Sequence, residues 1–183
     1  LETIHKFHPM VGVILNISPN HSERYDRVED YAAAKFRLLN NMNDSDQVIL
    51  GTENPYLKMI HHHPSKKHFF TKGFLPKDFH FNFSEAKVRG EHNEANFYVA
   101  YKVLELLGVP DLPSLFQRFI NEFKGVAHRL EFVLEQNGLS IYNDAKSTNA
   151  LATITAIQAF KDSQEPLHLI LGGKLRNESD RVL

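Results

Sequence analysis

The stretch Val11-Gly12-Val13-Ile14-Leu15-Asn16-Ile17, followed by Ser18-Pro19-Asn20-His21, decides the fold. A short run rich in Val and Ile predicts a buried strand over 11–17, and the Asn, Ser and Pro after it predict a loop. A helix is predicted next, over 28–41. Asp26 is its expected N-cap, and Glu29 and Asp30 put negative charge at the positive end of the helix dipole. Ala32 to Ala34, Phe36, Leu38 and Leu39 supply helix propensity and an apolar face. Gln47 to Leu50 reads as a second buried strand. Strand, helix and strand in this order predict an α/β layered fold with a mostly parallel sheet.

Outward from this unit the periodicity weakens. Between 52 and 84 short strands are expected at 67–70 and 79–83, with Lys72-Gly73 as a turn. A helix is predicted over 93–107, ended by Gly108 and Pro110. A shorter helix follows over 113–123. Residues 129–135 and 139–142 alternate like strands around Asn137-Gly138, a strong hairpin signal. A polar loop over 143–147, a helix over 148–160 and a buried strand over 167–171 complete the reading. Gly125 marks the expected domain boundary, separating 1–125 from 126–183.

Composition narrows the function classes. The 183 residues are 42% hydrophobic and 23% charged, with a formal net charge of -1. No basic stripe exists to follow a phosphate backbone, which argues against general nucleic-acid binding. No apolar run approaches the ~18 residues that span a bilayer, and no signal peptide is visible. Cysteine is absent, so disulfides and thiolate metal sites are excluded, in keeping with a reducing compartment. Three of the eleven histidines are consecutive, His61 to His63. They form either a metal site or a solvated loop, and the loop is preferred because adjacent side chains rarely converge on one ion. The chain opens on Leu1 rather than Met and stops at Leu183 soon after a predicted strand, so a piece of a longer protein is expected.

Four polar clusters follow predicted strands or open predicted helices, where α/β folds bind ligands. The first is Asn16 to His21 with Arg24 and Tyr25, where the histidine is a ligand, a proton carrier or a loop residue. The second is Lys35, preceded by three alanines that allow close approach, and otherwise a surface lysine. The third is Gly90-Glu91-His92-Asn93 with Asn96. Asn93 is a cap or, with Asn96 one turn on, a contact to a polar ligand such as a base. The fourth is His128-Arg129 with Asn143-Asp144-Ala145-Lys146-Ser147-Thr148-Asn149. This loop enters a helix and is either an anion site or an elaborate cap with surface ion pairs.

Taken in order, these clusters resemble the Mur ligases. Leu15-Asn16-Ile17 with His21, Arg24 and Tyr25 is similar to the family's Leu-Asn-(apolar)-x-x-x-His-x-x-Arg-Tyr motif. Tyr31-x-x-Ala34-Lys35 is similar to the helix that carries its carbamylated lysine. Gly90-x-His92-Asn93-x-x-Asn96 and His128-Arg129 match two further motifs. Residues 143–149 resemble the Asn-Asp-Ser-Lys-Ala-Thr-Asn loop of the D-glutamate-adding branch. They depart from it at Ala145 and Ser147 and keep Asp144, Lys146 and Thr148. Asn20 stands where many relatives have Asp.

The resemblance implies part of a central ATP-binding domain, a mostly parallel sheet with flanking helices, and the start of a Rossmann-like C-terminal domain. It implies an enzyme that uses ATP and Mg²⁺ to phosphorylate the carboxylate of UDP-N-acetylmuramoyl-L-alanine and then joins D-glutamate to it. By the same resemblance His21 and a carbamylated Lys35 hold the metal, and these two with Lys146 are the catalytic residues. Asn93, Asn96, Arg129 and Asp144 meet ATP. Lys146 and Thr148 meet the incoming amino acid or the acyl phosphate. Arg176, with Lys174 as the alternative, reaches the glutamate carboxylate. A bacterial, cytoplasmic monomer without a membrane span is implied. No Gly-x-x-x-x-Gly-Lys-Ser/Thr loop occurs in these residues, so the isolated chain is expected to turn over no ATP. The alternatives are another Mur or folylpolyglutamate-type ligase, and a non-catalytic α/β module that binds a nucleotide or a partner.

Overall fold

The computed structural model describes residues 1–19 and 24–173. It divides into two compact units, Leu1–Lys77 with Tyr98–Pro110, and Asp78–Phe97 with Asp111–Leu183.

The first unit is built on three strands, β1 (Val11–Ile14), β2 (Gln47–Gly51) and β3 (Lys66–Phe70), with helix α1 (Val28–Phe36) between the first two. They pair in the order β1-β2-β3, all parallel, with Val11 opposite Gln47 and Gln47 opposite Lys66. Val48, Ile49 and Leu50 of the central strand are at most 1% exposed, the burial a parallel strand covered on both faces requires. α1 lays Ala32 and Phe36 against Ile14, Ile17, Leu39, Met42, Val48 and Leu50. Each large apolar side chain so buried contributes roughly 2 kcal/mol.

The edges of these elements depart from expectation in instructive ways. β1 ends at Ile14 rather than residue 17, although Ile17 is still buried. α1 gives way to a 3-10 turn, Arg37–Leu39, where Asn40 donates to the Arg37 carbonyl and Met42 to that of Leu39. Such i→i+3 bonds tighten the last turn. Arg27, not Asp26, takes the N-cap position, with extended backbone and no side-chain cap bond. The helix starts one residue later than the Asp26 cap requires, leaving Glu29 and Asp30 to answer the dipole.

Two polar groups lock the turns of this unit. Asp46, 5% exposed, accepts from His8 Nε2 at 2.6 Å and from the Asn43 backbone N–H at 2.7 Å. The Asn43 bond first, then His8, holds its carboxyl below the usual range. His63 donates from Nε2 to the Leu39 carbonyl at 3.0 Å, and its Nδ1 meets Ser65 Oγ at 2.9 Å. The triple-histidine run thus pins a loop to the end of the helical segment, while His61 and His62 lie exposed and edge to face.

Helix α2 (Glu91–Leu106) contributes Tyr98 onward to the first unit. It ends as predicted. Gly108, with φ +70°, donates to the Glu105 carbonyl and Val109 to that of Leu104. This is the paired closure of a Schellman motif.

The second unit holds the start of α2, α3 (Leu112–Glu122), the strands β4 (Glu131–Gln136) and β5 (Leu139–Asn143), and α4 (Ala150–Gln158). β4 and β5 form the antiparallel hairpin predicted around Asn137-Gly138. Both turn residues have positive φ, +53° and +77°, as a type I′ turn requires. The expected strand at 79–83 is absent. No neighbouring strand pairs with it, and Phe79, Phe81 and Phe83 join Phe97 and Phe116 in an aromatic cluster. The expected buried strand at 167–171 is also not formed, and Ile170 is 97% exposed. An apolar run becomes a buried strand only where a neighbour completes its hydrogen bonds, and neither sheet pairs with it.

Candidate functional site

Two groups of predicted site residues can be described, one in each unit. His21 and Asn20, and Lys174 and Arg176, lie outside the described residues.

In the first unit the site sits beyond the carboxyl ends of β1 and β2. Leu15 and Asn16 continue from β1 and are exposed. At the end of β2 the backbone closes tightly on this segment. A Cβ on Gly51 would come within 2.0 Å of the Leu15 carbonyl oxygen, a contact only glycine permits. α1 then carries Lys35 past Tyr31, one turn earlier on the same face. The Lys35 ammonium lies 5.1 Å from the centre of the Tyr31 ring, within cation–π range. Tyr31 packs on Tyr25 with ring centres 5.4 Å apart. Leu1, Arg24, Tyr25, Tyr31, Ala34 and Lys35 line a cleft of ≈ 140 Å³. Ala34 leaves space beside Lys35 that a longer side chain would fill. Arg24 and Tyr25 both donate to the Glu2 carboxylate, a residue the sequence did not single out. The Tyr25 bond first, and Arg24 after it, keep that carboxyl below the usual range.

In the second unit the opening of α2 and the 143–149 loop belong to one assembly. α2 begins at Glu91, so Asn93 is inside the first turn and is not the cap. Its N–H donates to the Gly90 carbonyl at 2.9 Å and its Nδ2 to that of Arg89 at 2.6 Å. Asn96 Nδ2 donates to Asn93 Oδ1 at 3.4 Å, so the two predicted base contacts are neighbours. Gly90, with φ +95°, leaves its Cβ position to the His92 ring. The Arg89 guanidinium lies 5.7 Å from the Tyr142 ring and 5.4 Å from that of Phe160. Glu91 pairs with Lys161 at 2.5 Å. Nothing in the sequence spacing marks this clasp, because its partners are more than fifty residues apart.

The 143–149 loop is knitted to the segment before β4. The Asp144 carboxylate accepts from the Leu130 N–H at 2.9 Å and from the Ser147 hydroxyl. The Lys146 N–H donates to the His128 carbonyl at 3.0 Å, and Asn143 Nδ2 meets His128 Nδ1 at 2.9 Å. His128 and Leu130 adopt positive φ to make these bonds. Asn149 caps α4, its Oδ1 accepting from Ala152 N–H at 2.8 Å. Asp144 and Asn149 therefore have structural work, and the loop is ordered by its own polar groups. Arg129, Lys146 and Thr148 are left exposed. Lys146 and Thr148 lead into the N-terminus of α4, whose free N–H groups favour an anion.

Among the described residues no group of three or more His, Cys, Asp or Glu side chains converges to hold a metal ion. No described helix is long and apolar enough to cross a membrane.

Residues 1–108 match the protein family described as Mur ligase middle domain. The UDP-N-acetylmuramoylalanine–D-glutamate ligase of Koribacter versatilis is 33% identical over 202 residues, covering 100% of this chain and 44% of the relative. The enzyme of the same name from Aquifex aeolicus is 35% identical over 182 residues, covering 94% and 42%. The chain spans less than half the length of these curated relatives. Among solved structures, MurF ligase from Thermotoga maritima in complex with ADP superposes with a TM-score of 0.65 at 19% identity, covering 84% of this chain and 39% of that one. MurF from Acinetobacter baumannii gives 0.63 at 16%, covering 84% and 37%. At such identities the two structures speak for the fold alone. The family match over 108 of 183 residues, on a parallel sheet with flanking helices, shows that this chain belongs to the Mur ligases.

Proposed function

We propose that the chain is the part of an ATP-dependent ligase that holds the phosphoryl-transfer lysine and the loop receiving D-glutamate. Residues 1–125 supply the later part of the nucleotide-binding middle domain, and 126–183 open the next domain. The substrates are UDP-N-acetylmuramoyl-L-alanine and D-glutamate. The observation that carries this reading is the 143–149 loop, fixed through its Asp144 carboxylate with the cationic side chain of Lys146 left exposed.

The reaction has two steps. A carboxylate oxygen of the acceptor attacks the γ-phosphorus of ATP, and ADP leaves. The glutamate amine then attacks the acyl carbon, forming a C–N bond and a tetrahedral oxyanion. Collapse expels phosphate, and the amine proton passes to solvent. Negative charge develops in both steps, so fixed cations and N–H groups lower the barriers. Lys146 and Arg129 provide such charge, and Thr148 a hydroxyl. Asn93 and Asn96 offer adjacent amides to the adenine or its phosphates, and Arg176 pairs with the glutamate carboxylate.

Magnesium, when bound, neutralises the phosphate oxygens. The carbamate oxygens that Lys35 would carry are the ligand type Mg²⁺ prefers, whereas His21 offers a ring nitrogen and lies outside the described residues. Mg²⁺ keeps several waters and takes only one or two protein oxygens beside phosphate. The cleft over Lys35 also has room for a carbamate, which forms when the neutral amine bonds to CO₂ and loses a proton. Lys35, so modified, and His21 would then hold the ion.

Lys146→Ala in the full-length ligase is expected to lower kcat by about 10²–10³-fold, the effect of deleting a group that stabilises developing charge. Steady-state ADP release measures it. Parental turnover in that variant would remove Lys146 from the mechanism.

A further inference from the structure

Three consecutive residues at the opening of α2 reach residues 159–161, where α4 ends. The Arg89 guanidinium lies 5.7 Å from the centre of the Tyr142 ring and 5.4 Å from that of Phe160. Those rings meet edge to face, centres 4.9 Å apart, so both lie within cation–π range of one guanidinium. Gly90 comes next, and a Cβ there would lie 3.1 Å from that of Ala159. Glu91 then pairs with Lys161 at 2.5 Å. Arg89 is itself exposed, so its rings hold it there and not burial in a core. The same stretch carries the asparagine pair. Asn93 Nδ2 donates to the Arg89 carbonyl at 2.6 Å, and its Oδ1 accepts from Asn96 Nδ2 at 3.4 Å. Nδ2 carries two hydrogens, and the Arg89 carbonyl takes one. The direction of the other is therefore set by where that carbonyl sits. Tyr142, for its part, immediately precedes Asn143 and the loop bearing Lys146. One side chain thus joins the asparagine pair to the strand that feeds this loop.

We propose that Arg89 is a positioning residue for nucleotide binding. Wedged against Tyr142 and Phe160, it fixes the backbone carbonyl that orients the Asn93 amide. The inference rests on the reading of Asn93 as a nucleotide contact given above. The neighbouring Glu91–Lys161 pair is exposed on both sides and screened by solvent, so it adds little to the wedge. Arginine suits the place because its guanidinium is planar, always charged and able to stack on rings, which an ammonium is not. The wedge is lost by removing either the cation or a ring. Phe160→Leu keeps an apolar side chain and takes away the π system alone.

The test uses the full-length ligase and two readouts, the Kd for ADP by calorimetry and the KM for ATP in steady-state turnover. Arg89→Ala is expected to raise both by about fivefold, with KM for the UDP-linked acceptor within about twofold. A merely structural role would lower the amount of active enzyme, and so kcat, without moving either constant. Phe160→Leu should reproduce the loss, and the double variant should be no worse than either single one, as for groups acting as a unit. Arg89→Lys should recover part of the affinity, because the ammonium keeps its attraction to the rings and loses the stacking. In an Asn93→Ala background Arg89→Ala should add nothing, since it acts through that amide. A parental Kd for ADP in Arg89→Ala, or additive losses with Phe160→Leu or Asn93→Ala, would overturn the wedge. Asn93→Ala also separates the two ideas. Weakened ADP in that variant beside a parental Arg89→Ala rejects the wedge alone, whereas a parental Kd in Asn93→Ala rejects the nucleotide reading and the wedge with it.

Discussion

Gly51 shows how much a single residue can decide at the carboxyl edge of the sheet. Its missing Cβ lets the segment after β1 pass within contact of β2, with the Leu15 carbonyl 2.0 Å from where that carbon would sit. Gly51→Ala is expected to destabilise the chain by about 3 kcal/mol, the upper end for an insertion into packed structure, as read by urea unfolding. His68 gives a pH-dependent test. Burial, and after it the Lys102 charge, push its imidazole below the ordinary 6.5, and its Nε2 meets Gln47 Oε1 at 2.8 Å. The folded state therefore prefers the neutral ring. Its contribution is present above pH 6.5 and is lost as pH falls from there through the lower folded value. Unfolding curves across that window should flatten in His68→Gln. Asp46 acts in a lower window, its contribution present above the usual carboxylate range and lost as pH falls through its depressed value. Lys35, Asn93 and Asp144 could be singled out as candidates because each sits in a local motif. Gly51, Glu2 and Arg89 were not, because what they touch lies far along the chain and spacing carries no trace of it.

Elements were legible where the local rule and the tertiary context agree. The hairpin is such a case, since Asn137-Gly138 specifies the turn and the flanking residues alternate. Gly138→Ala should cost about 1 kcal/mol, the penalty of placing a Cβ in the left-handed region. Asn149→Ala should cost about 1 kcal/mol by removing the bond that caps α4, and both are measurable as shifts in the unfolding midpoint. The cap of α4 was not read from the sequence, which started that helix two residues earlier, at 148 rather than Ala150. Residues 79–83 and 167–171 show the opposite situation. Both carry enough apolar character for a strand, but a strand is completed by its neighbour, and no ladder reaches either segment. Phenylalanines at 79, 81 and 83 go instead to an aromatic cluster whose other members come from α2 and α3. Periodicity cannot announce a partner that another element supplies.

At the scale of the whole molecule, a parallel three-stranded unit carries the lysine site, and a second unit carries the loop with Lys146. The fold class was legible from strand–helix–strand order, and membership of the Mur ligases from five motifs in sequence, three of them within the family match over residues 1–108. Catalysis of D-glutamate addition is the central claim beyond that membership. The measurement that tests it most directly is a ligation assay of the full-length enzyme with ATP, UDP-N-acetylmuramoyl-L-alanine and a panel of amino acids. The account predicts ADP, phosphate and amide product in equal amounts with D-glutamate, and none above background with the others. Amide product formed from a different amino acid with release of ADP, and not from D-glutamate, would contradict it.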